Sequence, residues 1–195
     1  MEGAPIGAPF RHASRCTNIA AMSYTLEDLA RDCHAAIAAD PGPAGREEVR
    51  RHLERALADA AFVDGHLGAQ ATEPRRLLYQ DADFGFCIFA HVYDGAKAAP
   101  PHDHAGSWAV YGQAQGVTEM TEWRKVRAPQ GDAPGLVEPL KVYELKPGMA
   151  VVYNEPDIHS PRREAATRLI RIEGRNLDGV QRDAYEPVPK GRAAE

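Results

Sequence analysis

The sequence predicts an all-β core, a jelly-roll barrel, with α-helices ahead of it. From Arg76 onward, short runs of branched and aromatic residues alternate with Gly, Pro and Asp turn signals. No helical period interrupts them, which is the pattern of an antiparallel sandwich or barrel. Before Arg76, two stretches place apolar residues at three- and four-residue steps, the period of amphipathic helices. With 195 residues, 44% hydrophobic and 26% charged, the chain is long enough to enclose one core of ordinary size.

Residues 1–22 are rich in Gly, Pro and Ala without a period and read as a disordered leader, with Met22 as an alternative start. Thr25 and Asp28 form a capping box, and Leu26, Leu29, Cys33, Ala36 and Ile37 give one stripe over residues 25–39. Asp40-Pro-Gly-Pro ends that helix. Val49, Leu53, Ala56, Leu57 and Ala60 predict a second helix over residues 45–60, with Gly65 and Gly68 at its end or at a break. Strands are expected around residues 77–79, 84–92, 107–114, 117–126, 137–145, 149–153 and 168–174. The organisation is thus a leader (1–22), helices packed on the barrel (23–70), the barrel (71–185) and a tail (186–195).

A formal charge of −5 and the lack of a Lys/Arg run argue against nucleic acid. No segment has the roughly 20 apolar residues of a membrane span, and the N-terminus has no secretory pattern, so a cytoplasmic protein is expected. Cys16, Cys33 and Cys87 are odd in number and widely spaced, which suits reduced thiols better than a disulfide framework. Any metal should then rest on nitrogen and oxygen donors.

His102-Asp103-His104 supplies such donors. In an extended strand, residues i and i+2 share a face about 7 Å apart, so both imidazoles can chelate one ion. His159 follows 55 residues after His104, at the start of another strand after Gly148 and Pro156, and a barrel brings it to the same ion from a neighbouring wall. Three histidines leave coordination positions open, as catalytic sites do. Iron, zinc, manganese and nickel all suit such a set.

The spacing carries a resemblance. Four residues separate His104 from Ala109, where many cupins place a glutamate ligand, and Gly116 follows after six more; Gly148 precedes His159 by ten intervening residues. Both match the cupin motifs, and the fold implied is the cupin double-stranded β-helix. From about 76 to 180, Pro-Pro-His102-Asp103-His104, Gly116 and Glu155-Pro156-Asp157-Ile158-His159-Ser160 resemble the cysteine dioxygenase family of thiol dioxygenases. The resemblance implies ferrous iron on three histidines and O2-dependent oxidation of a small thiol to a sulfinic acid. It also implies an arginine for the substrate carboxylate near Arg76, with Arg75 as the competing choice.

Two departures matter. Ala109 and the position of Cys87 leave no partner for the family's Cys–Tyr cross-link. The family's Ser-His-Tyr relay is also absent: in register with the closing Gly-x-x-Leu, Arg171 takes the histidine's place and Glu173 the tyrosine's. Strand alternation puts Arg171 and Glu173 on one face and Ile170 and Ile172 on the other. The charged pair faces either solvent or the metal cavity, where it would serve catalysis. Trp108, Tyr111, Gln113, Glu119, Trp123 and His91 are further pocket candidates, with packing as the competing role for each.

The expected partners are a small anionic substrate and O2, because a dipositive ion without a carboxylate ligand favours anionic guests. A metal cupin of different chemistry (isomerase, decarboxylase or hydrolase) and a non-enzymatic metal or ligand-binding cupin are the competing readings.

Overall fold

The computed structural model describes residues 23–189. The leader expected over 1–22, with Cys16, and the last six residues of the tail lie outside the described residues. Three helices come first: α1 (Leu26–Ala39), α2 (Pro43–Leu57) and α3 (Ala60–Leu67). The capping box forms as the sequence indicates, with Thr25 Oγ1 accepting from Asp28 N at 3.1 Å and Asp28 Oδ2 accepting from Thr25 N at 3.1 Å. Pro43 at the start of α2 suits a first helical turn, where its missing N–H is not needed.

The expected single helix over 45–60 is instead two. Asp59 leaves the helical conformation and its carboxylate accepts from Ala61 N and Phe62 N, so it starts α3 as an N-cap. Ala60 is accordingly exposed rather than part of the α2 stripe.

Ten strands follow: β1 (Arg75–Gln80), β2 (Cys87–Tyr93), β3 (Lys97–Ala98), β4 (Ala109–Gln115), β5 (Thr118–Arg127), β6 (Gly135–Leu145), β7 (Ala150–Tyr153), β8 (Ile158–Arg163), β9 (Thr167–Glu173) and β10 (Tyr185–Pro187). They form two five-stranded sheets, β1-β2-β9-β4-β7 and β10-β6-β5-β8-β3. Every pairing is antiparallel except β10 with β6. Apart from the pairs β1-β2 and β5-β6, hydrogen-bonded neighbours are not consecutive in sequence, as in a jelly roll, and this is the double-stranded β-helix with N-terminal helices that the sequence predicts.

The central strands of the first sheet, β2, β9 and β4, are buried on both faces over most of their length. Its outer face, with Ile88, Ala90, Val110, Ile170 and Ile172, packs under Leu29, Cys33, Leu53 and Leu57 of the helices. Each of the Ile, Val and Leu side chains among them contributes about 1.5–3 kcal/mol by leaving water. Its inner face lines the barrel, where Ala109, Tyr111, Tyr153 and Leu169 meet Met120 and Leu145 of the second sheet.

Candidate metal centre

The histidine pair does not lie in a regular strand. His102 makes one bridge to His159, with N–H to carbonyl distances of 3.0 Å in both directions, and Asp103 and His104 belong to the loop that follows. Pro100 and Pro101 have no N–H to offer a ladder, and Ala105 and Gly106 turn the chain at φ 50° and 72°. Asp103 fixes this turn: Oδ1 accepts from Ala105 N and Oδ2 from the Tyr185 hydroxyl, each at 2.9 Å.

The three imidazoles nevertheless meet. Their donor atoms lie within 4.8 Å of one another, and the ring centroids are 5.9 Å apart for His102 and His104, 4.6 Å for His102 and His159, and 4.9 Å for His104 and His159. His102 Nδ1 lies 2.9 Å from the Pro100 carbonyl. A carbonyl only accepts, so Nδ1 carries the proton and Nε2 keeps its lone pair.

His104 Nε2 contacts the Tyr111 hydroxyl at 3.2 Å, while its Nδ1 is buried without a partner. Both nitrogens of His159 are buried and unpartnered, and its ring lies flat against Tyr153 with centroids 3.8 Å apart. Each unmet buried nitrogen costs about 1–3 kcal/mol. Burial and then His102 and the neighbouring guanidiniums push the His104 pKa down to about 2. His102 is also lowered and His159 well lowered, again chiefly by burial. Neutral imidazoles with convergent, unmet nitrogens are what a divalent transition metal needs. The residues fit that group, with His102, His104 and His159 as its holders.

Beside this centre, β9 points Arg171 and Glu173 into the barrel. The Arg171 side chain is 13% exposed and that of Glu173 0%. Arg171 Nη2 is in ion-pair contact with Glu173 Oε1, though without the directionality of a hydrogen bond. Arg171 Nη1 also donates to the Tyr111 hydroxyl at 3.3 Å. Burial alone would lower the Arg171 pKa, but Tyr111 and Glu173 together hold it above the ordinary value. Ala109, at the position of the glutamate found in many cupins, is a direct cross-strand neighbour of Glu173. Glu173 is nevertheless not among the groups whose donor atoms converge.

Arg76 needs correcting. It pairs with Ala90 on the helix-covered side of β2 and donates to the His66 carbonyl at 3.1 Å, because strand alternation turns it away from the barrel. Arg75 takes the inner side, over the Phe89 ring at 3.7 Å, with Nη2 at 3.2 Å from Glu173 and Nη1 at 2.5 Å from Asp178.

Of the other candidates, Tyr111 reaches the centre. Trp108 belongs to the helix-side core, and Trp123 to a small cluster with Val137, Ile158 and Tyr185. Gln113 is buried in bonds to Gln115 and Thr118, and Glu119 contacts Arg162 at 3.7 Å. Cys87 is a buried free thiol, its pKa raised by burial and then by Glu173.

Two more interior residues lie on the barrel wall: His91, a candidate in the sequence, and Arg163, which the sequence did not single out. His91 is 3% exposed, with Nδ1 at 3.2 Å from the Tyr93 hydroxyl and Nε2 unpartnered. Arg163 is 5% exposed and stacks over Tyr93 at 4.0 Å. Alternation from His159 through Pro161 to Arg163 marks the latter, once residues 158–163 are recognised as a strand.

No family model matches this sequence, and no curated protein matches it. Among solved structures, KdgF from Halomonas sp. is 18% identical over 56% of this chain and 87% of its own, with a TM-score of 0.41. The cupin domain of Cnp3 from Schizosaccharomyces pombe is 12% identical over 53% of this chain and 61% of its own, at 0.39. A cupin superfamily protein from Desulfitobacterium hafniense is 14% identical over 50% and 72%, at 0.37. What the centre does is therefore read from its own residues. No helix among the described residues is long and apolar enough to cross a membrane.

Proposed function

We propose that this protein is a mononuclear non-haem iron oxygenase that oxidises a small anionic substrate, a thiol by its resemblance to cysteine dioxygenase. One observation carries the reading: three neutral histidines converge with unmet nitrogens inside the barrel, while three guanidiniums, of Arg75, Arg163 and Arg171, sit on the same barrel interior. Bound there, ferrous iron would supply a Lewis acid and a partner for O2. The overall conversion is R–SH + O2 giving R–SO2H, with both oxygens entering the product and no external reductant.

The chain's own residues then have separable tasks. The cationic interior holds an anionic substrate, and the apolar wall of Leu169, Met120 and Leu145 restricts water around it. Tyr111, between His104 and Arg171, orients the ligand imidazole and presents a hydroxyl that can hold or give a proton at its oxygen.

The Arg171–Glu173 ion pair also favours a second reading, a metal cupin acting as isomerase, decarboxylase or hydrolase. A buried carboxylate where the resembling enzymes have a tyrosine is suited to proton abstraction.

Anaerobic loading with Fe(II), followed by O2 uptake with cysteine, 3-mercaptopropionate, cysteamine and non-thiol acids, separates the two. Thiol-dependent uptake with sulfinate formation, lost in His102→Ala, is the expected result. Tight metal binding without O2 uptake on any member of the panel would sink the oxygenase reading in favour of the other, and uptake with a non-thiol acid alone would overturn only the thiol.

A further inference from the structure

Metal-binding donors converge at a second place in the fold. The donor atoms of His34, Asp81 and Asp83 also lie within 4.8 Å of one another. His34 belongs to α1, and the two aspartates to the turn between β1 and β2. The group therefore joins the helix layer to the first sheet, outside the barrel, and none of its members takes part in the histidine centre.

The three members are not equivalent. The Asp81 side chain is 2% exposed and already takes four donors. Its Oδ1 accepts from Asp83 N at 3.0 Å and Phe84 N at 2.7 Å, and its Oδ2 from the Tyr79 hydroxyl at 3.2 Å and His34 Nδ1 at 2.8 Å. Four donors fill the lone-pair sites of an ionised carboxylate, and because a carboxylate only accepts, the neutral His34 ring carries its proton on Nδ1 and keeps a lone pair on Nε2. The ring is held beside Phe84, with centroids 4.9 Å apart. Its Nε2 lies 3.9 Å from Asp83 Oδ2, on a side chain that is 75% exposed. Donors bound at about 2.1 Å to a tetrahedral ion lie roughly 3.4 Å from each other. Asp83 has to close by only about half an ångström to reach that spacing, and its exposure leaves it free to do so.

We propose that His34 Nε2 and Asp83 bind a second divalent transition metal of the Zn(II) class, with Asp81 orienting the imidazole from behind and water completing the coordination. A buried carboxylate on the far nitrogen of a ligand histidine fixes the tautomer and the ring and raises the basicity of the ligating nitrogen. One imidazole and one carboxylate suit Zn(II) better than Mg(II) or Ca(II), which take oxygen donors. The ion clips α1 to the β1–β2 turn. With two protein ligands against three, this site is weaker than the histidine centre and fills only at free Zn(II) well beyond the level that saturates the barrel.

The test is calorimetric titration of the full-length protein with Zn(II). The parent should show two classes of site, and His34→Gln should lose the weaker one. Glutamine can donate an amide N–H to Asp81 as the imidazole does but brings no ring nitrogen, so the contact between α1 and the turn is kept. Asp83→Asn should lose the weaker class too, since a neutral amide is not among the ordinary ligands of this ion. Asp81→Asn should weaken it about tenfold to a hundredfold, the usual effect of losing the carboxylate behind a ligand histidine. Ring nitrogen NMR of the metal-free protein gives a readout that loss of a packing contact does not move. The His34 proton should sit on Nδ1 in the parent and on Nε2 in Asp81→Asn, whose amide, with its oxygen kept on the two backbone N–H groups, donates to Nδ1. Should Asp81→Asn not fold, His34→Gln and Asp83→Asn carry the test.

A single class of Zn(II) site in the parent that His34→Gln leaves intact overturns the proposal, as does a weaker class undiminished in His34→Gln or Asp83→Asn, or a parent His34 with its proton on Nε2. The barrel centre is judged separately by His159→Ala, which should lose the tighter class and keep the weaker. A parent that shows only the His34-dependent class would sink the histidine centre and leave this site standing.

Discussion

Tyr111 joins Arg171 to a metal-ligand candidate: its hydroxyl accepts from Arg171 Nη1 at 3.3 Å and lies 3.2 Å from His104 Nε2. Arg171 in turn contacts Glu173, and Glu173 contacts Arg75. A single hydrogen-bonded and ionic line therefore runs from β1 across β9 and β4 to the centre. Removing any one member exposes the rest of the line to an imbalance of charge or of hydrogen bonding.

Glu173→Gln tests that line first. The amide keeps the shape but leaves two guanidiniums without their shared carboxylate, and breaking a buried pair by neutralising one partner costs about 3–5 kcal/mol. The double variant Arg171→Met with Glu173→Leu should recover much of the loss, because apolar replacement of both partners is often close to neutral. Urea unfolding of the parent, the single and the double variants measures it. Equal stability of Glu173→Gln and the parent would mean that the pair carries no structural weight.

Metal loading should stabilise the fold through the three histidines. Binding only to the native state adds about 2.7 kcal/mol when free metal is a hundred times its dissociation constant, a rise of roughly 5–11 °C for a chain of this size. A thermal melt with and without Zn(II), which removes redox chemistry from the comparison, should show that rise in the parent and none in His159→Ala.

His91 sets a dependence on pH. Burial first, and then the charges of Arg171, Arg75 and Arg163, keep its folded pKa well below the ordinary 6.5. The unfolded chain therefore binds a proton below pH 6.5 that the folded chain refuses. The stability tied to this residue is fully present above pH 6.5 and is lost as pH falls below it, at up to about 1.4 kcal/mol per pH unit. Urea midpoints between pH 8 and 5 should fall less steeply for His91→Gln than for the parent, by one proton's worth of slope. Parallel curves would show that His91 protonates freely in the fold.

Arg46 ties the helices to the centre. From the first turns of α2 it donates to Asn154 Oδ1 at 3.0 Å and to Glu155 Oε2 at 3.2 Å, in the loop that delivers His159. Arg46→Ala should lower Zn(II) affinity severalfold, with a stability loss of about 1–3 kcal/mol, whereas Arg51→Ala, whose guanidinium pairs with exposed Glu48, should change neither. Competition with a chromophoric chelator reads the affinity. An unchanged value in Arg46→Ala would show that the loop holds itself.

What the sequence revealed and what it concealed divide along physical lines. Periodicity exposed α1 and the alternation of β9, because a 3.6-residue stripe and a two-residue alternation are local properties. Convergence of His102, His104 and His159 was legible from motif spacing, although the local structure was not: Pro100 and Pro101 deny His102 the regular strand that the i, i+2 pattern suggests. The orientation of Arg171 and Glu173 could not be read locally, since both faces of β9 are buried and alternation does not say which face meets the helices. Arg75 and Arg76 are adjacent and alike in type, so only the register of β1 on β2 separates the inward residue from the outward one. Arg163 was passed over although a strand starting at His159 was expected, because Pro161 between them obscures the alternation that puts both on one face.

Two glycines separate helix propensity from packing. Glycine in a helix interior costs about 0.5–1 kcal/mol relative to alanine, so sequence alone recommends Gly45→Ala and Gly65→Ala equally. Their surroundings differ. A Cβ at Gly65 meets nothing within 4 Å, whereas at Gly45 it would lie 1.8 Å from the Asp40 carbonyl oxygen and 2.8 Å from that of Ala36. Backbone cannot move aside as a side-chain tip can, and Gly45 lies where the start of α2 crosses the end of α1. Gly65→Ala should therefore gain about 0.5–1 kcal/mol, and Gly45→Ala should lose about 1–3 kcal/mol from overpacking. Thermal melts of the two variants should move in opposite directions; a shared upward shift would mean that α1 and α2 are free to separate without loss of the fold.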